Sequence, residues 1–271
     1  MMKRILVTIA AVVFNISAYS WNAMGHQLVA QIAYDNLTPK VKRECNKYNQ
    51  ALNKVYPIGS FVRAATWLDT FRPREVHWFD TMHYIDIPFS NDNTPLPVSS
   101  DINAQWAINQ AIAVLHSKKS NDADKGLSLR ILIHTVGDIH QPLHTATLVT
   151  QNLPKGDLGG NLFPLGANPI ATNLHMYWDN GGGVLVGQST DFQVRNKAHQ
   201  LESRWPCASI NAKSNVQDWV DAGHDIAVSQ VYSINPGSVP DKRYQLNAQN
   251  ISQKQILLAG CRLANVLNKN I

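Results

Sequence analysis

The chain has 271 residues, long for one ordinary domain but within reach of a single large helical or barrel enzyme. Apolar residues make up 44% and charged residues 16%, which supplies ample core material and excludes a chain that is disordered throughout. The 24 Lys and Arg outnumber the 19 Asp and Glu for a formal +5, yet no run of five or more basic residues occurs, so a basic tail that holds a polyanion by bulk charge is excluded.

Lys3 and Arg4 form a positive head, Ile5 to Ile16 a mostly apolar run, and Ala18-Tyr19-Ser20 places small residues where a signal peptidase reads them. A signal peptide over residues 1–20 is expected, with cleavage before Trp21 and one domain over 21–271. The apolar run is shorter than the roughly 20 residues that span a bilayer, so an exported, soluble product without stable membrane association is expected. Cys45, Cys207 and Cys261 form neither a CxxC metal pattern nor a dense disulfide framework. One disulfide and one free thiol are expected, with all three pairings open.

Apolar periodicity and start signals predict helices over 22–35, over 39–52 behind Thr38 and Pro39, over 60–70, and over 104–115 behind Ser100-Asp101. Further helices are expected at 126–140, 190–204, 215–233 and 250–268. Met82 to Ile87 is the one strand-like stretch, so the fold class is all-α. Long loops are expected at 71–99 and 145–173; loops of that length usually shape a functional site. The tryptophans, including Trp78 and Trp106, read mainly as core mass.

His134 and Asp138 stand four residues apart on a predicted helix and project from one face. The same spacing recurs at His175 and Asp179, with His140 and His144 between and Asp69 and His83 upstream. Imidazole and carboxylate donors without a thiolate suit catalytic Zn²⁺, which keeps a position open for water. Asp69, His83, His134, Asp138, His144, His175 and Asp179 exceed what one tetrahedral ion needs. His26 and a liberated Trp21 amine extend the set towards a third ion, since an α-amine of pKa about 8 is readily deprotonated by a metal.

Ordered blocks carry a resemblance to the S1/P1 nucleases: Trp21-Asn22-Ala23-Met24-Gly25-His26, Trp67-Leu68-Asp69, His83-Tyr84-Ile85-Asp86, the segment from His134 to His144, Gly159-Gly160-Asn161, and the segment from Asn173 to Asp179. The resemblance spans residues 21–179 and implies a single, mainly helical domain of the kind shared with zinc phospholipase C. It implies three Zn²⁺: one held by Trp21, His26 and Asp138; a second by the bridging Asp138 with Asp69, His83 and His134; a third by His144, His175 and Asp179. It further implies that Asp69 orients or deprotonates the attacking water, that Arg72 contacts phosphate, that Tyr84 stacks on a base which Asp86 hydrogen-bonds, and that Asn180 touches substrate.

The activity so implied is endonucleolytic hydrolysis of single-stranded DNA and RNA to 5′-phosphorylated products, with 3′-nucleotidase activity, by a periplasmic or secreted enzyme expected to be a monomer. A zinc phospholipase C is the alternative. It fits less well, because Trp21 and His26 are closely spaced and the final ligand is Asp179, where the phospholipases have a wider gap and a glutamate. A zinc-binding protein without turnover is a third reading, disfavoured because storage gains nothing from an open coordination position.

Overall fold

The computed structural model describes residues 21–74, 77–210 and 215–271. The expected leader, residues 1–20, therefore lies outside the described residues. Eight α-helices and one two-stranded sheet are present among them: α1 (Ala23–Asp35), α2 (Pro39–Asn53), β1 (Ile87–Ser90), α3 (Ala104–His116), α4 (Asp122–Asp138), β2 (Ala146–Val149), α5 (Leu174–Asp179), α6 (Asp191–Arg204), α7 (Val216–Ile226) and α8 (Lys242–Asn270). No helix among the described residues is long and apolar enough to cross a membrane.

Starts are fixed by local chemistry. Asn22 accepts from the Gly25 N–H, Thr38 accepts from Val41 with Pro39 in the first turn, and Thr190 and Gln193 cap each other reciprocally at α6. Helix α4 begins at Asp122 rather than 126 because Asn121 accepts from the N–H groups of Ala123 and Asp124, while Asp122 and Asp124 complement the helix dipole. Helix α3 starts behind Asn103, not Ser100-Asp101.

Helix α4 is the axis of the molecule. It packs against α1, α2, α3 and α8, and its last seven residues, Leu132 to Asp138, are all buried. Leu129, Leu132, Ile133 and Val136 join Leu28, Val29, Ile32, Ile256, Leu257 and Leu263 in the main core. Each fully buried large aliphatic side chain contributes about 1.5–3 kcal/mol, so the C-terminal turns of α4 are firmly anchored.

Four segments depart from expectation. Residues 60–70 fall in two short 3₁₀ pieces, Arg63–Thr66 and Leu68–Arg74, the second of which includes Pro73, a residue without the N–H that a regular helix uses. Strand β1 begins at Ile87 instead of ending there, because Asp86 adopts φ 44° and breaks the extended run. The expected helix over 215–233 ends as α7 at Ile226 and continues as a π turn, Ala227–Val231. Helix α8 starts eight residues early, capped by Asp241; there Gln245 and Gln249 donate to the Gly182 carbonyl, a polar contact that apolar periodicity does not register.

The sheet pairs β1 with β2 in parallel, Ile87 opposite Ala146 and Ser90 opposite Val149. Two four-residue strands are marginal alone. These continue from the Ile85 N–H donating to the His144 carbonyl at 2.8 Å, so the ladder clamps the chain after His83 to the chain after His144. Cys207 and Cys261 form the disulfide, tying the short turn after α6 to α8, and Cys45 is buried with its thiol pushed up to about 12 by desolvation. Trp78 and Trp106 are 59% and 39% exposed, so they are not core.

Candidate metal centre

The C-terminal turns of α4 carry His134 and Asp138 on one buried face, with His134 Nε2 3.3 Å from an Asp138 oxygen. His83, at the end of the 3₁₀ segment His77–His83, brings Nδ1 to 3.1 Å from the same Asp138 oxygen and 2.9 Å from His134 Nε2. The other Asp138 oxygen faces His26 Nε2 at 3.3 Å, so this carboxylate presents its two oxygens to two sets of imidazoles. Asp69 enters from the 3₁₀ piece Leu68–Arg74, its Oδ1 3.6 Å from His134 and 4.0 Å from His83.

The rings of His26 and His134 stack with centroids 4.1 Å apart. The stacking depends on Gly137: a Cβ there would lie 2.9 Å from His26 Nδ1, so any side chain would push α1 off α4. The division implied by the resemblance is blurred at this point, because His26, Asp69 and His134 also offer atoms within 4.8 Å of one another.

A second cluster lies where β2 begins. His144, His175 and Asp179 offer atoms within 4.8 Å of one another, with His175 Nε2 3.5 Å from an Asp179 oxygen. His175 and Asp179 sit one turn apart on the six-residue helix α5, which Asn173 caps by accepting from the Met176 N–H. The neighbouring oxygen of Asp179 accepts from Gln141 Nε2 at 2.7 Å, and the Gln141 Oε1 accepts from Leu143 in the turn that delivers His144.

Backbone carbonyls set the imidazoles. Nδ1 of His134 donates to Ala65, that of His144 to His83, and that of His175 to Gly159, at 2.6–2.7 Å. With that tautomer, each Nε2 turns a lone pair inward, towards carboxylate oxygens that are acceptors themselves. Among the described residues, the Asp69 Oδ1 is buried without a hydrogen-bond donor. Lone pairs and carboxylates converging in a dry space repel unless a cation joins them, so the donor set fits divalent metal ions, and its nitrogen and oxygen chemistry fits zinc.

Trp21 is 1% exposed at the head of α1. The Asn22 N–H donates to the Asp179 carbonyl, and the Asn22 amide donates to Asn180 Oδ1 at 2.9 Å and to Leu185, which ties the start of the described chain to the end of α5. Asn180 also donates to Met176, so its side chain is engaged in holding this junction. The side chain of Arg72 lies outside the described residues.

Tyr84 and Asp86 line a cavity of about 190 Å³ with Pro88, Asn103, Thr147 and Lys155. Burial, with Asp157 nearby, pushes the Asp86 carboxyl up to about 8. His140 stands apart from these groups: its Nδ1 donates to Val136 and its Nε2 accepts from Arg262 at 2.7 Å, while burial and Arg262 lower its pKa to about 3.

Sequence reasoning missed Gln141, Asn22 and Asp157. The first two lie inside motifs whose histidines drew attention. Asp157 had only its place in a glycine-rich loop to mark it.

The S1/P1 Nuclease family pattern matches residues 21–271. The chain is 27% identical to Nuclease S1 of Aspergillus oryzae over 79% of its length and 73% of that protein's. It is 26% identical to Nuclease P1 of Penicillium citrinum over 59% of this chain and 57% of that protein, and 22% identical to Endonuclease 3 of Arabidopsis thaliana over 93% and 89%. A mainly helical domain built around clustered imidazoles and carboxylates, matched along its whole described length by that pattern, is a nuclease enzyme, and the chain belongs to the S1/P1 nuclease family.

Proposed function

We propose that this enzyme is a three-zinc endonuclease that hydrolyses single-stranded DNA and RNA to 5′-phosphorylated products and also acts on 3′-nucleotides. The observation that carries the reading is the two-sided placement of Asp138, with one oxygen towards His26 and the other towards His83 and His134. His26, Asp138 and the Trp21 amine and carbonyl would hold one zinc, Asp69, His83, His134 and Asp138 the second, and His144, His175 and Asp179 the third. When bound, the ions supply Lewis acidity to the phosphoryl group, acidify water and neutralise the leaving oxygen.

The residues of the chain do the rest. Asp69 is the site carboxylate with partial exposure, at 18%, so it can face both the buried imidazoles and a water arriving with substrate, which it would orient or deprotonate. The Tyr84 ring and the Asp86 carboxyl, beside a cavity of nucleobase dimensions, would take a base by stacking and hydrogen bonding. Base–aromatic stacking, worth about 1–3 kcal/mol, is open to an unstacked strand and closed to a duplex. Arg72 would contact phosphate, and Asn180 would touch substrate while bracing Asn22.

Cleavage of a signal peptide before Trp21 would export the enzyme to the periplasm or beyond and free the amine. The Cys207–Cys261 disulfide supports an oxidising destination.

The test is a parallel assay of zinc-loaded protein starting at Trp21 on single-stranded RNA, single-stranded DNA, duplex DNA, a 3′-nucleotide and phosphatidylcholine, with and without chelator. Chelator-sensitive cleavage of both single strands and of the 3′-phosphate is expected, with 5′-phosphate ends. Lipid hydrolysis without nucleic-acid cleavage would overturn the proposal.

A further inference from the structure

We propose that Asp157, braced by Tyr232, is the positioning residue of the third metal group; this rests on the metal reading above. Asp157 is 1% exposed. Its Oδ1 accepts from the N–H groups of Leu148 and Gly160, both at 3.0 Å, and from the Thr147 hydroxyl at 3.2 Å. The Tyr232 hydroxyl donates to the carboxylate at 2.9–3.0 Å from the segment just after the π turn Ala227–Val231.

These bonds join two pieces of chain that each deliver a ligand. Leu148 and Thr147 belong to β2, which starts two residues after His144. Gly160 belongs to the loop whose preceding carbonyl, on Gly159, accepts from His175 Nδ1 at 2.7 Å, while the Gly160 carbonyl accepts from the His175 backbone N–H at 3.2 Å. Asp157 thus holds the Gly159 carbonyl at the point where it selects the His175 tautomer and aims its Nε2 at Asp179 and His144.

The stretch itself has no regular structure, since Gly156, Leu158, Gly159 and Gly160 all have positive φ, and besides Asp157 it is held by His175 and by the Thr147 hydroxyl, which accepts from the Gly159 N–H at 3.5 Å. A left-handed turn of this kind has little rigidity of its own, and a carboxylate accepting several backbone and hydroxyl donors supplies it. Loss of a partner that orients a metal-bound histidine typically lowers metal affinity 10–100-fold.

The experiment is a zinc titration followed by native mass spectrometry on the protein starting at Trp21, its Asp157→Ala, Asp157→Asn and Tyr232→Phe variants, with far-UV circular dichroism as a control of fold. Wild type should hold three zinc ions. Asp157→Ala should hold two tightly and the third about 10–100-fold more weakly. Asp157→Asn keeps an oxygen for Leu148 and Gly160 and should recover most of the third affinity; Tyr232→Phe should lose a few-fold. If the alanine variant fails to fold, the asparagine and phenylalanine variants still decide, because equal third-ion affinity in wild type and Tyr232→Phe would remove the brace. Three equally tight ions in Asp157→Ala would overturn the inference alone. Wild-type protein that takes up no zinc would overturn the metal reading and this inference together.

Discussion

The two His/Asp clusters use the same donors but are built by opposite means. The cluster around Asp138 rests on the fully buried last two turns of a long helix, with one glycine letting a neighbouring imidazole stack there. The cluster around Asp179 rests on a six-residue helix, a pair of four-residue strands and a loop of left-handed residues, fixed by side-chain hydrogen bonds. A helix supplies spacing at no extra cost, because residues four apart already share a face. A loop must be given its rigidity bond by bond, so its supporting residues matter nearly as much as the ligands.

The largest effect is expected of Asp138→Ala, which removes the carboxylate shared by the two adjoining groups. Nucleic-acid cleavage should vanish, while one zinc remains on the His144 cluster by native mass spectrometry; residual cleavage would show that Asp138 is not shared. Asp69→Asn alters a residue proposed both to hold the second zinc and to orient the water. Turnover should fall roughly 10²–10⁴-fold with an intact helical spectrum, and near-normal turnover would remove Asp69 from the mechanism.

The disulfide affects both clusters through α8, since it closes a span of 54 residues. Replacing Cys207 and Cys261 together by serine should lower stability by about 2–5 kcal/mol in a denaturant titration. Gly159→Ala acts on the loop cluster only. A Cβ there would lie 2.4 Å from the Leu143 carbonyl at φ +60°, so a loss of about 1–3 kcal/mol is expected, with weaker binding of one zinc and the other two retained.

A further effect concerns Asp86 and pH. Its folded carboxyl is held up to about 8 from an ordinary 3.8, so between those values the native state keeps a proton that the unfolded chain has released. Stability therefore falls as pH rises through this window and levels off above it. Asp86→Asn, which tolerates the left-handed backbone, should melt higher than wild type near pH 8, by on the order of 1–3 kcal/mol, and converge with it near pH 4. Parallel melting curves at both ends would show that the carboxyl is not desolvated.

Much of this was legible in the sequence. The helices over 23–35, 39–53 and 191–204 carry visible caps, and the His134/Asp138 and His175/Asp179 pairs announce themselves by spacing. What stayed hidden is set by tertiary contacts. Strand β2 is too short to show alternation, the early turns of α8 are polar because they meet glycine carbonyls, and the tight turns carrying Asp69 and His83 leave no period. Asp157 was invisible because a lone acid in a loop is ordinarily solvated; its burial among four donors appears only in three dimensions.

The most direct measurement is zinc-edge anomalous diffraction from crystals of the protein starting at Trp21. Peaks are expected on both sides of Asp138, one towards His26 and one among Asp69, His83 and His134, with a separate peak among His144, His175 and Asp179. Full zinc loading in solution without a peak at Asp138 would contradict the metal centre on which the proposed hydrolysis depends.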